Sequence, residues 1–391
     1  MLSLFSERKN TFRQLDHVRE QSYPLPLDVE RDRFIVLSDV HMADRVPGVD
    51  EFEPNEVIYC HALQHYYDNN YRLILNGDIE ECWEARPTAI VDAYRDTVYA
   101  LERKFVEKGE GWHARIYGNH DGLWAHPAKV EKLLHPVLGP IKVHAAVTVG
   151  DEILIAHGHQ GETNSDTYSW FSRYAVRHGW RWAQRFLRVS SSRAAINNFI
   201  RRRRDNYLYE WAKDRGMMLI AGHTHRGMFR SYGTADSLSP LLEMLDQQIP
   251  NNLSPQLAKA TANYLRRSLG LNGQSRFKRN GRTPVERNPM PCYFNAGCCV
   301  HTNGITGLEI DRGEIRLVQW QMAGSEVPEV VLDPGDVSRL FRVERKVLQQ
   351  DDLVTLLERI RTRQPHPYLA KEAVFNAPLS DAAREATNLV A

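Results

Sequence analysis

From residue 33 onward the chain alternates short apolar runs with longer stretches of helical spacing. Residues 34–37, 73–75, 114–117, 152–156 and 217–221 have the length and apolar content of buried strands. Between the first two, Val57, Ile58, Ala62, Leu63 and Tyr66 recur at helical intervals over 54–70. Ile90, Ala93, Val98, Leu101 and Phe105 do the same over 88–108. Strand, helix, strand in that order predicts parallel pairing with a right-handed crossover. Residues 128–138 read as a short helix or turn, and 143–149 as a further strand. Later, 305–311 and 314–321 read as paired strands about the turn Asp311-Arg312-Gly313, and 336–363 reads as helical. Residues 1–30, polar and carrying Pro24 and Pro26, read as an arm leading into the core; 364–391 is a tail without pattern. No internal repeat is visible.

What closes the apolar runs changes the picture. The run at 34–37 leads into Asp39-x-His41, and the run at 73–75 into Gly77-Asp78-x-x-Glu81. The next three end in Gly118-Asn119-His120-Asp121, His157-Gly158-His159 and Gly222-His223-Thr224-His225. A strand that ends in Gly-Asp delivers a carboxylate to the mouth where open α/β sheets keep their ligands, and the glycine lets a metal or phosphate approach the backbone. Each motif alone has an ordinary reading as a turn Asp, a capping Asn or a core histidine. Five in series, each at a strand end, make chance a poor explanation. Asp, Asn and His without a thiolate suit a borderline divalent ion such as Mn, Fe or Zn.

Composition bounds the rest. With 391 residues, 42% hydrophobic and 25% charged, the chain fits one large domain with insertions, or two. The net charge of +1 averages over an uneven distribution. Five cysteines without CxxC spacing point to reduced thiols and a cytoplasmic setting. The opening MLSLFSERKN has too short an apolar run for a signal peptide, and nothing approaches the roughly 20 apolar residues of a membrane span. The segment 160–216 reads as a helical insertion. From Thr167 to Arg204 it holds ten arginines and no acid, with Arg177, Arg181 and Arg185 at helical spacing among tryptophans and phenylalanines. Its readings are a solvated cap with its arginines paired elsewhere, recognition of an anionic substrate, peripheral docking on an anionic membrane, or nucleic-acid binding. A second insertion, 228–290, reads as two helices and a Gly/Arg/Asn/Pro-rich loop.

Taken together, the five motifs resemble the calcineurin-like metallophosphoesterase superfamily over residues 39–225. Gly77-Asp-Ile-Glu-Glu-Cys-Trp83 and Gly222-His-Thr-His-Arg226 are similar to its UDP-2,3-diacylglucosamine hydrolase branch. One residue departs from that branch, which has Arg after Gly-Asn where this chain has His120, as in the wider superfamily. The resemblance implies an α/β fold, a four-layer αββα sandwich of two mixed β-sheets flanked by helices and carrying the helical insertions. It places the domain at 31–325, after the arm at 1–30 and before a helical extension and tail at 326–391. It implies two divalent metal ions, manganese first and iron or zinc after it. Asp39, His41, Asp78 and His225 would hold one, and Asp78, Asn119, His157 and His223 the other, so that an anionic phosphate ester is attacked in line. His120 would stabilise the transition state or protonate the leaving oxygen, with Asp121 orienting its ring. Glu81 and Arg226 would support the ligands or touch substrate. The implied activity is hydrolysis of a phosphomonoester or pyrophosphate, of a lipid-linked or nucleotide-linked substrate. The alternatives are a nuclease-like phosphodiesterase and a non-catalytic scaffold of the same fold.

Overall fold

In the computed structural model, which describes residues 2–162, 198–233, 290–323 and 342–364, every one of the five apolar runs is a strand. In chain order the elements begin with α1 (Leu2–Glu20), β1 (Tyr23–Leu25), β2 (Arg33–Leu37), α2 (Glu56–Asp68) and β3 (Arg72–Asn76). Then come α3 (Pro87–Tyr94) and α4 (Ala100–Glu107), joined through a π-helical turn at Arg95–Tyr99, and β4 (His113–Ile116). They continue with α5 (Pro127–Leu133), α6 (His135–Leu138), β5 (Val143–His144), β6 (Val147–Val149) and β7 (Ile153–Ile155). After α7 (Asn198–Arg215) follow β8 (Met218–Ala221), β9 (Met228–Phe229), β10 (Tyr232–Gly233) and β11 (Tyr293–Asn295). The last are β12 (Ile305–Asp311), β13 (Glu314–Met322), β14 (Val343–Asp352) and α8 (Leu353–Arg361).

These strands make two mixed sheets, ordered β14-β13-β12-β2-β3-β4-β5 and β1-β6-β7-β8-β11-β9-β10. β2, β3, β4 and β5 are parallel neighbours, whereas β12 closes on β2 antiparallel, with Leu308 opposite Val36. One apolar cluster joins Phe34, Val36, Ile74 and Ile116 of the first sheet to Val147, Leu154 and Ile220 of the second. A second cluster packs Ile35, Leu73 and Leu75 against Ile58, Tyr66, Ile90 and Phe105 of the covering helices. Alternate residues of β2 thus point to opposite cores, as the period of two requires. With α1 and α7 on the far side of the second sheet, the result is the expected αββα sandwich. Among the described residues no helix is long and apolar enough to cross a membrane.

Three segments differ from their sequence reading. Residues 1–30 are no arm. Thr11, Leu15 and Val18 of α1 are buried, a stripe narrow enough to leave the segment polar overall, and Tyr23 of β1 pairs with Val147 of β6. Asp16 ties α1 to α7, accepting from Trp211 Nε1 at 2.9 Å and pairing with Arg215 at 2.6 Å. Residues 143–149 are not one strand but two in different sheets, separated by Ala145 and Ala146; period-two alternation cannot show that a strand changes sheet. Among the described residues within 336–363, helix is confined to α8, which starts where the Asp352 carboxylate accepts from Thr355 N. Residues 343–352 are an edge strand, whose few apolar positions mimic helical spacing.

Removing residues 2–20 should therefore destabilise the protein. The burial of Leu15 and Val18 alone is worth about 3–6 kcal/mol. Urea denaturation of the shortened chain checks this; an unmoved midpoint would mean that α1 is a detachable arm after all.

Candidate metal centre

Past their last paired residues, the strands turn sharply. Asp39, His41, Asp78, His223 and His225 all take left-handed backbone, with φ of 54°, 52°, 53°, 66° and 54°. Few residues other than glycine adopt that conformation, which costs on the order of 1 kcal/mol or more each and concentrates at functional sites. The loops after β2 and β3 hold each other there: Asp39 N donates to Gly77 O at 3.1 Å and His41 N to Asp78 O at 2.9 Å. Two glycines are required by close approach. A Cβ at Gly118 would lie 2.1 Å from Asp78 Oδ1, and one at Gly222 would lie 1.9 Å from Ser38 Oγ.

The turns converge on two ligand clusters, Asp39–His41–His225 and Asp78–His157–His223, each with its ligand atoms within 4.8 Å of one another. His225 Nε2 is 3.2 Å from Asp39 Oδ1 and 3.2 Å from His41 Nε2. His157 Nε2 is 3.0 Å from Asp78 Oδ2, and His41 Nε2 lies 4.0 Å from the same oxygen, so Asp78 belongs to one cluster and borders the other. His157 Nδ1 donates to Asn76 O at 2.8 Å, which leaves the Nε2 lone pair facing inward. Asn119 Oδ1 is buried without a hydrogen-bond partner. Two imidazole nitrogens in contact and an orphaned buried amide oxygen are what a cation would satisfy, so the donor set fits divalent metal.

Charge explains how these groups coexist. Burial pushes the Asp39 carboxyl up, but His225 and His157 outweigh it and hold the group well below the usual carboxylate range. For Asp78, burial is likewise overcome by His157 and His120. Burial disfavours the His157 cation, yet Asp78 and Asp39 beside it raise its pKa to about 9. Burial is again outweighed at Glu81, which His120 and His41 hold at about 2.

The structure brings together Asp39, His41, Asp78, Asn119, His157, His223 and His225, with His120 beside them. Glu81 is buried between two rings, 2.9 Å from His41 Nδ1 and 2.7 Å from His120 Nδ1. Asp121 does not orient His120. Its oxygens accept from Gly118 N at 2.6 Å and Ile79 N at 2.8 Å, so it ties the two loops together and leaves the ring to Glu81. Burial, then Asp78 and Glu80, push its carboxyl up to about 7. Arg226 is held by Asp205 at 2.5 Å, away from a free role at the ligands. Arg177, Arg181 and Arg185 lie outside the described residues, as do the two helices expected within 228–290. Glu162 escaped the sequence reading. Its Oε1 is 3.0 Å from His223 Nε2, and the signal was an acid three residues beyond His159. Trp83, stacked on His120 at 3.9 Å, was visible only as part of a motif.

The sequence model of the calcineurin-like phosphoesterase family matches residues 32–227, which contain all five motifs. No curated protein and no solved structure matches the chain.

Two outcomes follow for metal binding. Asp78→Ala removes the carboxylate between the clusters and should lower metal content at both, as measured by elemental analysis; full wild-type occupancy would show that Asp78 is not shared. In the metal-free protein His157 keeps its proton until about pH 9. A cation must displace that proton, so manganese affinity should climb from pH 6.5 towards 9 and then level, with proton release in calorimetry. The same raised pKa stabilises the metal-free fold fully below 6.5, and that contribution is lost as pH rises through 9.

Proposed function

The chain belongs to the calcineurin-like phosphoesterase family, and from that membership we propose that it hydrolyses a phosphomonoester or pyrophosphate of a small molecule or lipid precursor at a dinuclear centre. The observation that carries this reading is that Asp78, a member of one ligand cluster, lies 4.0 Å from His41 of the other. Asp39, His41, Asp78 and His225 would hold one cation, and Asp78, Asn119, His157 and His223 the other. Bound there, divalent ions, manganese first, supply the positive charge that polarises a phosphoryl group.

The side chains around the clusters account for the rest. Phosphoryl transfer leaves the protein little covalent work beyond positioning and charge stabilisation. Glu81 orients two rings at once, His41 as a ligand and His120 as the group nearest the leaving oxygen. With its Nδ1 turned to Glu81, His120 has Nε2 left to give a proton to that oxygen. Trp83 lies nearly parallel to the ring, with 20° between the planes, and blocks its rotation. The backbone N–H of His120 donates to Asp78 Oδ1 at 2.8 Å, so ligand and proton donor move as one unit. A non-catalytic scaffold would have little use for strained ligand loops and an oriented histidine.

His120→Asn should cut kcat by roughly 100-fold with both ions still bound, and Glu81→Gln by less. Steady-state kinetics with metal analysis on each variant decides the assignment, and an unchanged kcat for His120→Asn refutes it. Chelation should abolish turnover and manganese restore it.

A further inference from the structure

Helix α7 packs one turn of its length against the ligand loops. Arg204, buried, donates from Nε to Gly158 O at 2.7 Å and from Nη2 to Gln160 O at 2.5 Å, in the loop that carries His157 and His159. Asp205 accepts from Thr224 Oγ1 at 2.9 Å and Tyr293 OH at 2.8 Å, and holds Arg226 in the loop after β8. Arg201 precedes these two residues by three and four positions. It therefore lies on the same helix face, one turn nearer the start of α7, and faces the same loops.

Its surroundings are unlike those of its neighbours in the run 201–204. Arg203 pairs with Glu7 at 3.2 Å, and Arg204 spends its donors on carbonyls. Arg201 is partly buried and makes no hydrogen bond or ion pair with any of the described residues. Burial lowers its pKa, and the groups acting on it include Cys298, Arg226, Asp205 and Asp39. Its charge in turn acts on His225 and on His301, whose Nε2 is 3.1 Å from His225 O. With its place on the helix face beside Arg204 and Asp205, this puts it on the Asp39–His41–His225 side of the centre. A partly buried guanidinium with no acceptor among the described residues is costly, and an anion arriving at the ligands would relieve that cost.

We propose that Arg201 is the phosphate anchor of this site, binding the free oxygens of a phosphoryl group and selecting a terminal phosphate over a diester. The inference rests on the phosphoesterase reading given above and narrows its substrate class. A terminal phosphate brings three acceptor oxygens and nearly two negative charges. A diester has one oxygen and one charge fewer, so an added planar cation favours the terminal group. Arg201 lies outside the five motifs, although the helix that carries it falls within the matched segment.

The test compares Arg201→Gln and Arg201→Lys with the wild type, all as the full metal-loaded chain. Inorganic phosphate is titrated calorimetrically, and kcat/KM is measured on para-nitrophenyl phosphate and on bis(para-nitrophenyl) phosphate. In the Gln variant, phosphate affinity and monoester kcat/KM should each fall on the order of 10- to 100-fold, the loss expected for one charge-assisted contact. Diester turnover should change by less than about 3-fold, and the Lys variant should recover part of the loss. Equal losses on both esters, unchanged phosphate affinity, or loss of the ions from the variant overturns the assignment. If the wild type hydrolyses neither ester, the phosphoesterase reading falls, and the phosphate titration alone decides whether Arg201 is an anion anchor.

Discussion

Two carboxylates buried at the joint of two sheets set the terms for everything around them. Asp39 and Asp78 are 0% and 1% exposed. An uncompensated ion in such a place costs several kcal/mol even after the protein relaxes. The compensation comes from both sheets. Ser38 and the His223 amide donate to Asp39, and the His120 amide and the His157 ring serve Asp78. His41, His120 and His157 gain their positive character from the carboxylates beside them. Both acids follow strands of the first sheet and draw part of their compensation from the second, so the sandwich has to close for the charges to be tolerated. The left-handed turns and the glycines are the means by which strand ends get close enough.

The five motif strands, and the helices between the first three, were legible because short apolar runs ended by polar residues leave few other readings. The ligand set was legible for a related reason: a strand end fixes where the next residue points. Glu81 was expected to support a ligand ring and does so at His41; what failed was the task given to Asp121. Glu80 and Glu81 are neighbours, yet Glu81 faces the two imidazoles while Glu80 turns away to Arg115, Tyr99 and Trp124 in a buried polar network. Asp121 follows His120 directly, yet binds backbone amides. Which acid reaches which ring depends on the backbone direction at a turn, and nothing in the residue types encodes it. The failures at 1–30 and 143–149 are of another kind. A helix with a thin apolar stripe has little pattern to read, and a strand that changes sheet keeps its alternation throughout.

The α1–α7 pair has a larger part in the centre than its distance in sequence suggests. Arg204 bonds to Thr11 Oγ1 at 2.8 Å as well as to the carbonyls of Gly158 and Gln160. A Cβ at Gly161 would lie 2.5 Å from Thr11 N, so α1 presses directly on the loop that follows His157. The second sheet's outer helices are therefore part of the wall behind the ligands as well as a cover for an apolar face.

The antiparallel pairing of β12 with β2 bears on how the protein is made. A ribosome delivers Val36 long before Leu308, its partner across the sheet. At 5–20 residues per second, β2 waits on the order of tens of seconds with that edge open. During that interval the parallel strands β2, β3 and β4 can assemble under their helices, but one flank keeps unpaired amides and carbonyls available to any other extended chain. The nascent protein is thus most exposed to misassembly late in synthesis, when nearly all of its ligand residues have already emerged and the strand that seals them has not.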